Sequence, residues 1–369
     1  MLLTNCLATL AVFASAAAAV ATPSLKGRQG GGNNGNNGNG QCKPDQPKMK
    51  RKAWHTLSKQ EKKSYIDAEL CLMNKPATLG LPGATNRFEE LQSIHQVQGA
   101  IIHNVGGFLP YHRYYIYAHE KLLRDECGYK GMQPWWDETL DAGSYSTSVV
   151  LDPVTGFGGD GSGPNGCITT GPFASFVNNI GPGYWFGPNC INRYINDSVS
   201  VMAGQGYIDF CKAKQTFAEF WPCFERCPHR SGHGAIGGKL LDAVASPGDP
   251  LFYLHHAWLD KLWWDWQQLN LPVRLTEING INVSPPRGSP PFPGSVSPDF
   301  PEVAPAPWSF PPSASLNPDL ASPYQQPAGD PGNQTTLNHV LNMGGIVPNV
   351  TIADVMDIRG ILSVIKHQV

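Results

Sequence analysis

Apolar residues recur at near-helical spacing in five stretches of the chain, and these set the expected architecture. In KRKAWHTLSKQEKKSYIDAELCLMN the residues Trp54, Leu57, Tyr65, Ile66, Leu70 and Leu72 mark one face, lysines crowd the other, and Ser58 with Glu61 makes a capping-box start. This predicts a surface helix. The same spacing predicts helices over about 86–104, 112–125, 215–236 and 250–269. The connections between them are long and rich in Gly, Pro and Asn, notably 141–190. Residues 285–331 hold 15 of the 33 prolines, which excludes helix interior and central strand there and leaves an ordered loop or a tail. Residues 335–357 regain β-branched and apolar content and predict a small edge strand or helix. The pattern is mainly α with little β.

The N-terminal run MLLTNCLATLAVFASAAAAVATP is apolar but too short and small-sided to span a bilayer, and Ala19-Val20-Ala21 precedes Thr22 as a small-x-small cleavage pattern. Residues 1–21 are therefore expected to be a secretory signal, with a buried N-terminal helix as the alternative. QGGGNNGNNGNGQ at 29–41 has no side chains to bury, so 22–41 is expected to be a flexible leader and 42–369 a single domain. With 41% hydrophobic and 15% charged residues the chain can build a sizeable core. Its net charge of -2 provides no basic field for nucleic acid, and no other stretch could cross a membrane, so the expected partners are small molecules. The sequence does not reveal the oligomeric state, for which a monomer is the default expectation.

Secretion changes how the cysteines read. Cys6 leaves with the signal, and Cys42, Cys71, Cys127, Cys167, Cys190, Cys211, Cys223 and Cys227 form an even set able to make up to four disulfides in an oxidising compartment. Four Asn-x-Ser/Thr sequons, at Asn196, Asn282, Asn333 and Asn349, agree with that route.

The histidines fall into two groups: His95, His103 and His112, then His229, His233, His255 and His256. His229 and His233, in ERCPHRSGHG at 225–234, lie one turn apart on a helix, so both imidazoles can reach one ion. His103 and His112 would point about 180° apart on a continuous helix. Gly106-Gly107-Phe108-Leu109-Pro110 breaks that helix, so His112 can open a new one and turn back. Imidazoles without a neighbouring carboxylate or thiolate favour copper or zinc, and two triads need two metals.

FLPYHRYYIYAHEKLL around His112, PWWDE at 134–138 and DPLFYLHHAWLDKLWWDWQ at 249–267 resemble the two copper signatures of the tyrosinase, catechol oxidase and haemocyanin superfamily, and the chain is most similar to short secreted fungal polyphenol oxidases. The resemblance runs from about Cys42 to about Arg359. It implies a four-helix bundle with inward histidines. His95, His103 and His112 would hold one copper, and His229, His233 and His256 the other. The preference for His256 over His255 rests mainly on the family pattern, because Phe252, His256, Leu259, Trp263 and Trp266 make one apolar stripe and Leu251, His255, Trp258 and Leu262 a shorter rival. His255 and His119 are then packing or supporting residues, and His55, His339 and His367 ordinary surface histidines. Arg113 and Asp260 fall where relatives pair a cation and an anion across the copper helices, an arrangement that fixes ligand geometry.

Such a site implies two copper ions with O2 as co-substrate, oxidising small phenols: catechols to o-quinones and, in tyrosinases, monophenols as well. An oxygen carrier uses the same six histidines without turnover, and a dizinc hydrolase would normally recruit carboxylates that these triads lack. The chain also departs from the family. Ile101 stands where some members carry the cysteine of a Cys-His crosslink, Glu138 replaces the last Trp of PYWDW, and VMDIRGILSVIKHQV stops without the Cys-Tyr motif, leaving one expected disulfide without a partner. No long C-terminal segment follows to shield the site, so the expectation is an enzyme active once metallated, unless a loop within 285–331 plugs the pocket. Relatives that hydroxylate monophenols carry Asn after the first ligand of the second copper and an upstream Glu, which together are thought to hold a water that deprotonates the phenol. Here Glu225 is present but the Asn position is Arg230, which donates only. The expectation is efficient catechol oxidation with weak or absent monophenol hydroxylation. As alternatives, Arg230 attracts carboxylated phenols, points to solvent or pairs with Glu225.

Overall fold

The computed structural model describes residues 50–285, 324 and 326–359. The expected signal over 1–21, the leader over 22–41, the domain start at 42 and most of 285–331 lie outside them, as do Cys42 and His367. The described chain is mainly helical. Its first helix, Lys59–Asn74, starts as the capping box requires: the Ser58 hydroxyl accepts from the Glu61 N–H and the Glu61 carboxylate accepts from the Ser58 N–H. It buries Tyr65, Ile66 and Leu72 and exposes Lys59 and Lys63.

The histidines sit on the helices Arg87–Ile102 and Phe108–Cys127, on the segment from Phe217 to Ile236, and on the helix Leu251–Gln268. The helix Phe108–Cys127 packs on both the first helix and Leu251–Gln268. It opens four residues earlier than the reading that began it at His112. Pro110 falls in the first turn, where its missing N–H has no helical partner to lose, so the proline that breaks one helix can sit inside the start of the next. The predicted helix over 215–236 is divided into Phe217–Phe224, a π turn Glu225–His229, and Arg230–Ile236. Pro228 cannot donate to a carbonyl one turn back, and the widened turn accommodates it. Leu251–Gln268 buries both of its apolar stripes, which is why helical phase could not choose between His255 and His256.

Among the described residues the strands form three short antiparallel pairs. Gly161–Ser162 pairs with Cys167–Ile168, Val177–Ile180 with Phe186–Cys190, and Val340–Leu341 with Val350–Thr351, which runs into the helix Ile352–Val355. The last pair and helix fall where 335–357 predicted them, whereas the first two lie inside a stretch expected to be loop. Three disulfides join Cys71 to Cys127, Cys167 to Cys190 and Cys211 to Cys223. The first ties the first helix to the end of the His112 helix. Cys227 is buried and unpaired among the described residues. No helix among those residues is long and apolar enough to cross a membrane.

Two histidines outside the clusters are buried. His119 lies between Glu69 and Gln133 with its ring stacked on Tyr253 at 3.6 Å, a packing role as expected. His339 was expected on the surface but is buried and bonded to Asp330, a partner supplied by a loop nine residues away. His55 is exposed as expected.

Candidate metal centre

The structure brings His95, His103 and His112 together from three local contexts: the middle of one helix, the extended residue that ends it, and the first turns of the next. Their ring centroids are 4.9 to 5.5 Å apart. The turn between the helices is tight because Asn104 takes φ +51° and Gly106 lies against the backbone of Asn279, where a Cβ would come 2.2 Å from the carbonyl oxygen. His229, His233 and His256 form a second set with centroids 4.5 to 5.3 Å apart. The two sets face each other through His112 and His256, whose rings stack at 4.4 Å. One nitrogen from each of His229, His233, His255 and His256 lies within 4.8 Å of the others, so His255 joins the second cluster spatially. The His255 ring meets those of His229, His233, His256 and Trp258, whereas His256 alone of the pair also meets the first set.

Hydrogen bonding fixes how these imidazoles point. Nδ1 donates to a backbone carbonyl in five of them: His95 to Val244, His103 to Gly99, His112 to Phe108, His229 to Glu225 and His233 to Leu240. A carbonyl can only accept, so Nδ1 carries the proton and Nε2 of the neutral ring presents a lone pair. Burial holds all six rings well below the ordinary histidine range, with His103 pushed down to about 4, so they are neutral near pH 7. Nε2 of His95 then faces Nε2 of His112 at 3.4 Å with a lone pair on each, whereas Nε2 of His233 lies 3.2 Å from that of His256, whose Nδ1 has no partner to fix its tautomer. Nε2 of His229 is buried without a partner. Opposed lone pairs repel unless a cation lies between them, so the donor set fits two metal ions bound by neutral imidazole.

Arg113 and Asp260 pair as the resemblance implied. The Arg113 Nε donates to one carboxylate oxygen, Arg51 donates to the other at 3.1 Å, and the Arg113 guanidinium lies 3.7 Å from the centre of the Trp263 ring. Glu225 is buried, four residues before His229 in the π turn. One of its oxygens accepts from the Asn104 N–H at 2.8 Å, the other has no partner, and burial pushes its pKa up to about 8. Arg230 is exposed, and no hydrogen bond or ion pair joins it to Glu225; only its charge is felt there, lowering the Glu225 pKa.

Sequence reasoning missed four residues of this centre. Phe108 lies between the triads, 4.8 Å from the His112 ring and 4.7 Å from that of His229, and Phe252 stacks on His256 at 4.1 Å and meets His95 at 5.3 Å. Both sit in the quoted motifs, where an aromatic beside a ligand histidine was the available signal. Asn104 carries no such signal. Glu138, noted only as a departure in packing, is fully buried and bonded to His255 Nδ1 and the Tyr145 hydroxyl.

Residues 85–269 match the common central domain of tyrosinase, half of the chain. The chain belongs to the tyrosinase family. Members of this family are copper oxidoreductases. The tyrosinase-like protein phomQ1 of Diaporthe leptostromiformis is 36% identical over 254 residues, covering 62% of this chain and 64% of that protein. Tyrosinase P of Aspergillus terreus is 30% identical over 283 residues, covering 63% and 80%. The match thus spans somewhat less than two thirds of the length of phomQ1. Among solved structures, a point mutant of a polyphenol oxidase from Thermothelomyces thermophila superposes with a TM-score of 0.64 at 26% identity, over 85% of this chain and 86% of that one.

Proposed function

We propose that this tyrosinase-family chain is a secreted dicopper polyphenol oxidase that oxidises catechols to o-quinones and acts weakly or not at all on monophenols. His95, His103 and His112 hold one copper and His229, His233 and His256 the other, with the four histidine-bearing helical segments acting as the bundle around them. The observation that carries this reading is two buried sets of neutral imidazoles, with the Nε2 lone pairs of His95 and His112 opposed and no proton between them and His229 Nε2 buried without a partner. A bound copper pair supplies reversible two-electron exchange with O2. Two catechols each give up two electrons and two protons, and one O2 takes all four of each to become two waters. Copper-loaded protein should take up O2 with catechol and form quinone; metal binding without O2 uptake would leave an oxygen carrier, and tight zinc binding without redox activity a hydrolase.

The protein's own contribution to substrate choice centres on Glu225 and Arg230. The unpartnered oxygen of Glu225 becomes an acceptor able to hold and deprotonate a water only as the carboxyl ionises, near pH 8, and Arg230 offers no second acceptor to share it. Arg230→Asn is expected to raise the ratio of monophenol to catechol turnover by about tenfold or more, since general-base help is worth on the order of 10² to 10⁴ in rate. An unchanged ratio would show that Arg230 does not limit monophenol hydroxylation. Because Arg230 is exposed and unpaired with Glu225, the same variant tests a second reading, in which it attracts carboxylated phenols; KM for a carboxylated catechol should then rise several-fold.

The three disulfides favour an oxidising compartment and so support secretion. The sequons differ sharply in the fold. Asn196, Asn333 and Asn349 are exposed, whereas Asn282 is 1% exposed, with its side-chain oxygen accepting from Thr335 and its amide donating to Gly332. Glycopeptide mass spectrometry of protein from a fungal secretion host should find glycan at one or more of the three exposed sites and none at Asn282.

A further inference from the structure

We propose that Glu138 and His255 form a positioning pair that holds the second metal site in shape, an inference that rests on the dicopper reading above. His255 is fully buried, and its Nδ1 is bonded to the Glu138 carboxyl, 117 residues away in sequence; the other carboxyl oxygen accepts from the Tyr145 hydroxyl. The His255 ring lies 4.7 Å from that of His233 and 5.7 Å from that of His229, so it bears on two of the three ligands from outside the triad. Gly232 makes room for this. A Cβ there would come 2.3 Å from the His255 ring and 2.9 Å from a Glu138 oxygen, which is why the residue between Ser231 and His233 has no side chain.

The second site needs such a brace more than the first. All three first-site ligands have Nδ1 fixed by a backbone carbonyl, as do His229 and His233, but Nδ1 of His256 has no partner. No bond at Nδ1 therefore sets its rotation, and its Nε2 meets only another ligand, His233. His255 is its neighbour on the same helix, so anchoring His255 to Glu138 fixes the turn that presents His256. Burying a carboxylate beside an imidazole is weak evidence of a gain in stability, because well-packed apolar residues commonly do as well. Fixing the geometry of neighbouring ligands is what hydrogen-bonded partners behind a metal site do, typically at a value of about 10- to 100-fold in metal affinity.

The test is a copper titration of the full-length apo protein, followed by EPR. The wild type should bind two coppers. In Glu138→Leu the first copper should bind as in the wild type and the second about 10- to 100-fold more weakly. Partly loaded protein should then show the signal of a single Cu(II), which a magnetically coupled pair does not give. Glu138→Gln keeps an acceptor oxygen and should restore the second site. If Glu138→Leu does not fold, Tyr145→Phe removes one of the carboxyl's partners and should weaken the second copper several-fold. Equal affinity for both coppers in these variants, even with a lower apo Tm, would mean that the pair only packs, and would overturn the proposal while leaving the dicopper reading standing. A wild type unable to bind two coppers would overturn both.

Discussion

Replacing His112 with glutamine is expected to leave one copper per chain in place of two and to lower catechol-dependent O2 uptake by on the order of 10³-fold, since a metal contributes several kcal/mol to the reaction it promotes. In the dicopper reading His112 links the two sets: its Nε2 opposes that of His95 at 3.4 Å and its ring stacks on His256 at 4.4 Å. Glutamine fills similar volume and can still bond the Phe108 carbonyl, so the helix that carries it should fold. The same geometry predicts how metal and stability are linked. In the metal-free protein the opposed lone pairs of His95 and His112 are an unrelieved repulsion, and copper would bind only where the fold has assembled the two sets. At a thousandfold excess over Kd, each site should then stabilise the native state by about 4 kcal/mol. Thermal melts with and without copper should show a large rise in Tm for the wild type and a smaller one for His112→Gln. Elemental analysis and an oxygen electrode complete the test, and a variant that kept two coppers and its rate would remove His112 from the centre.

Much of this centre was legible in the sequence because it depends on local periodicity. The four histidine-bearing segments are helical where a 3.6-residue repeat placed them, and a break before His112 turns it back toward His95 as expected, although the chain turns over 103–107 and Phe108-Leu109-Pro110 already belong to the next helix. The misses share a physical cause. Ends shifted where proline acts differently by position: Pro110 is tolerated in a first turn, and Pro228 opens a π turn in a helix read as continuous. The hairpins before residue 190 use strands such as FGPNC, two to five residues long and without alternation, and so carry no period-2 signal. Contacts made through space were the least legible. Glu138 reaches His255 across 117 residues, and His339 is buried by a loop aspartate, neither of which any local pattern encodes. Arg113 and Asp260, 147 residues apart, were found only because a family resemblance supplied the pairing.

That last pair should be among the most costly to break. Asp260→Ala is expected to destabilise the metal-free protein by about 3–5 kcal/mol, the usual consequence of removing one partner from a buried ion pair. The Arg113 side chain is 1% exposed and that of Asp260 10%, so little water is available to replace the lost carboxylate, and Arg51 loses its bond to the same group. Arg113 would keep Gln267, the carbonyls of Val355 and Met356 and its place over Trp263, which holds the charge where it is instead of letting it reach solvent. These contacts also decide the double variant Arg113→Met/Asp260→Leu. Replacing a buried ion pair by apolar residues is often neutral, but here the Val355 carbonyl and the Gln267 side-chain oxygen would lose the Arg113 donor, while the Met356 carbonyl would keep only Gln267, and each unsatisfied group costs about 1–3 kcal/mol. The double variant should therefore recover only part of the loss. Chemical denaturation of the apo proteins measures both, as a lower midpoint at unchanged slope. Copper affinity should fall as well, by about 10- to 100-fold, because Arg113 follows His112 directly and Asp260 lies one turn beyond His256. A single variant less than about 1 kcal/mol below the wild type would place this pair with exposed ion pairs of little value.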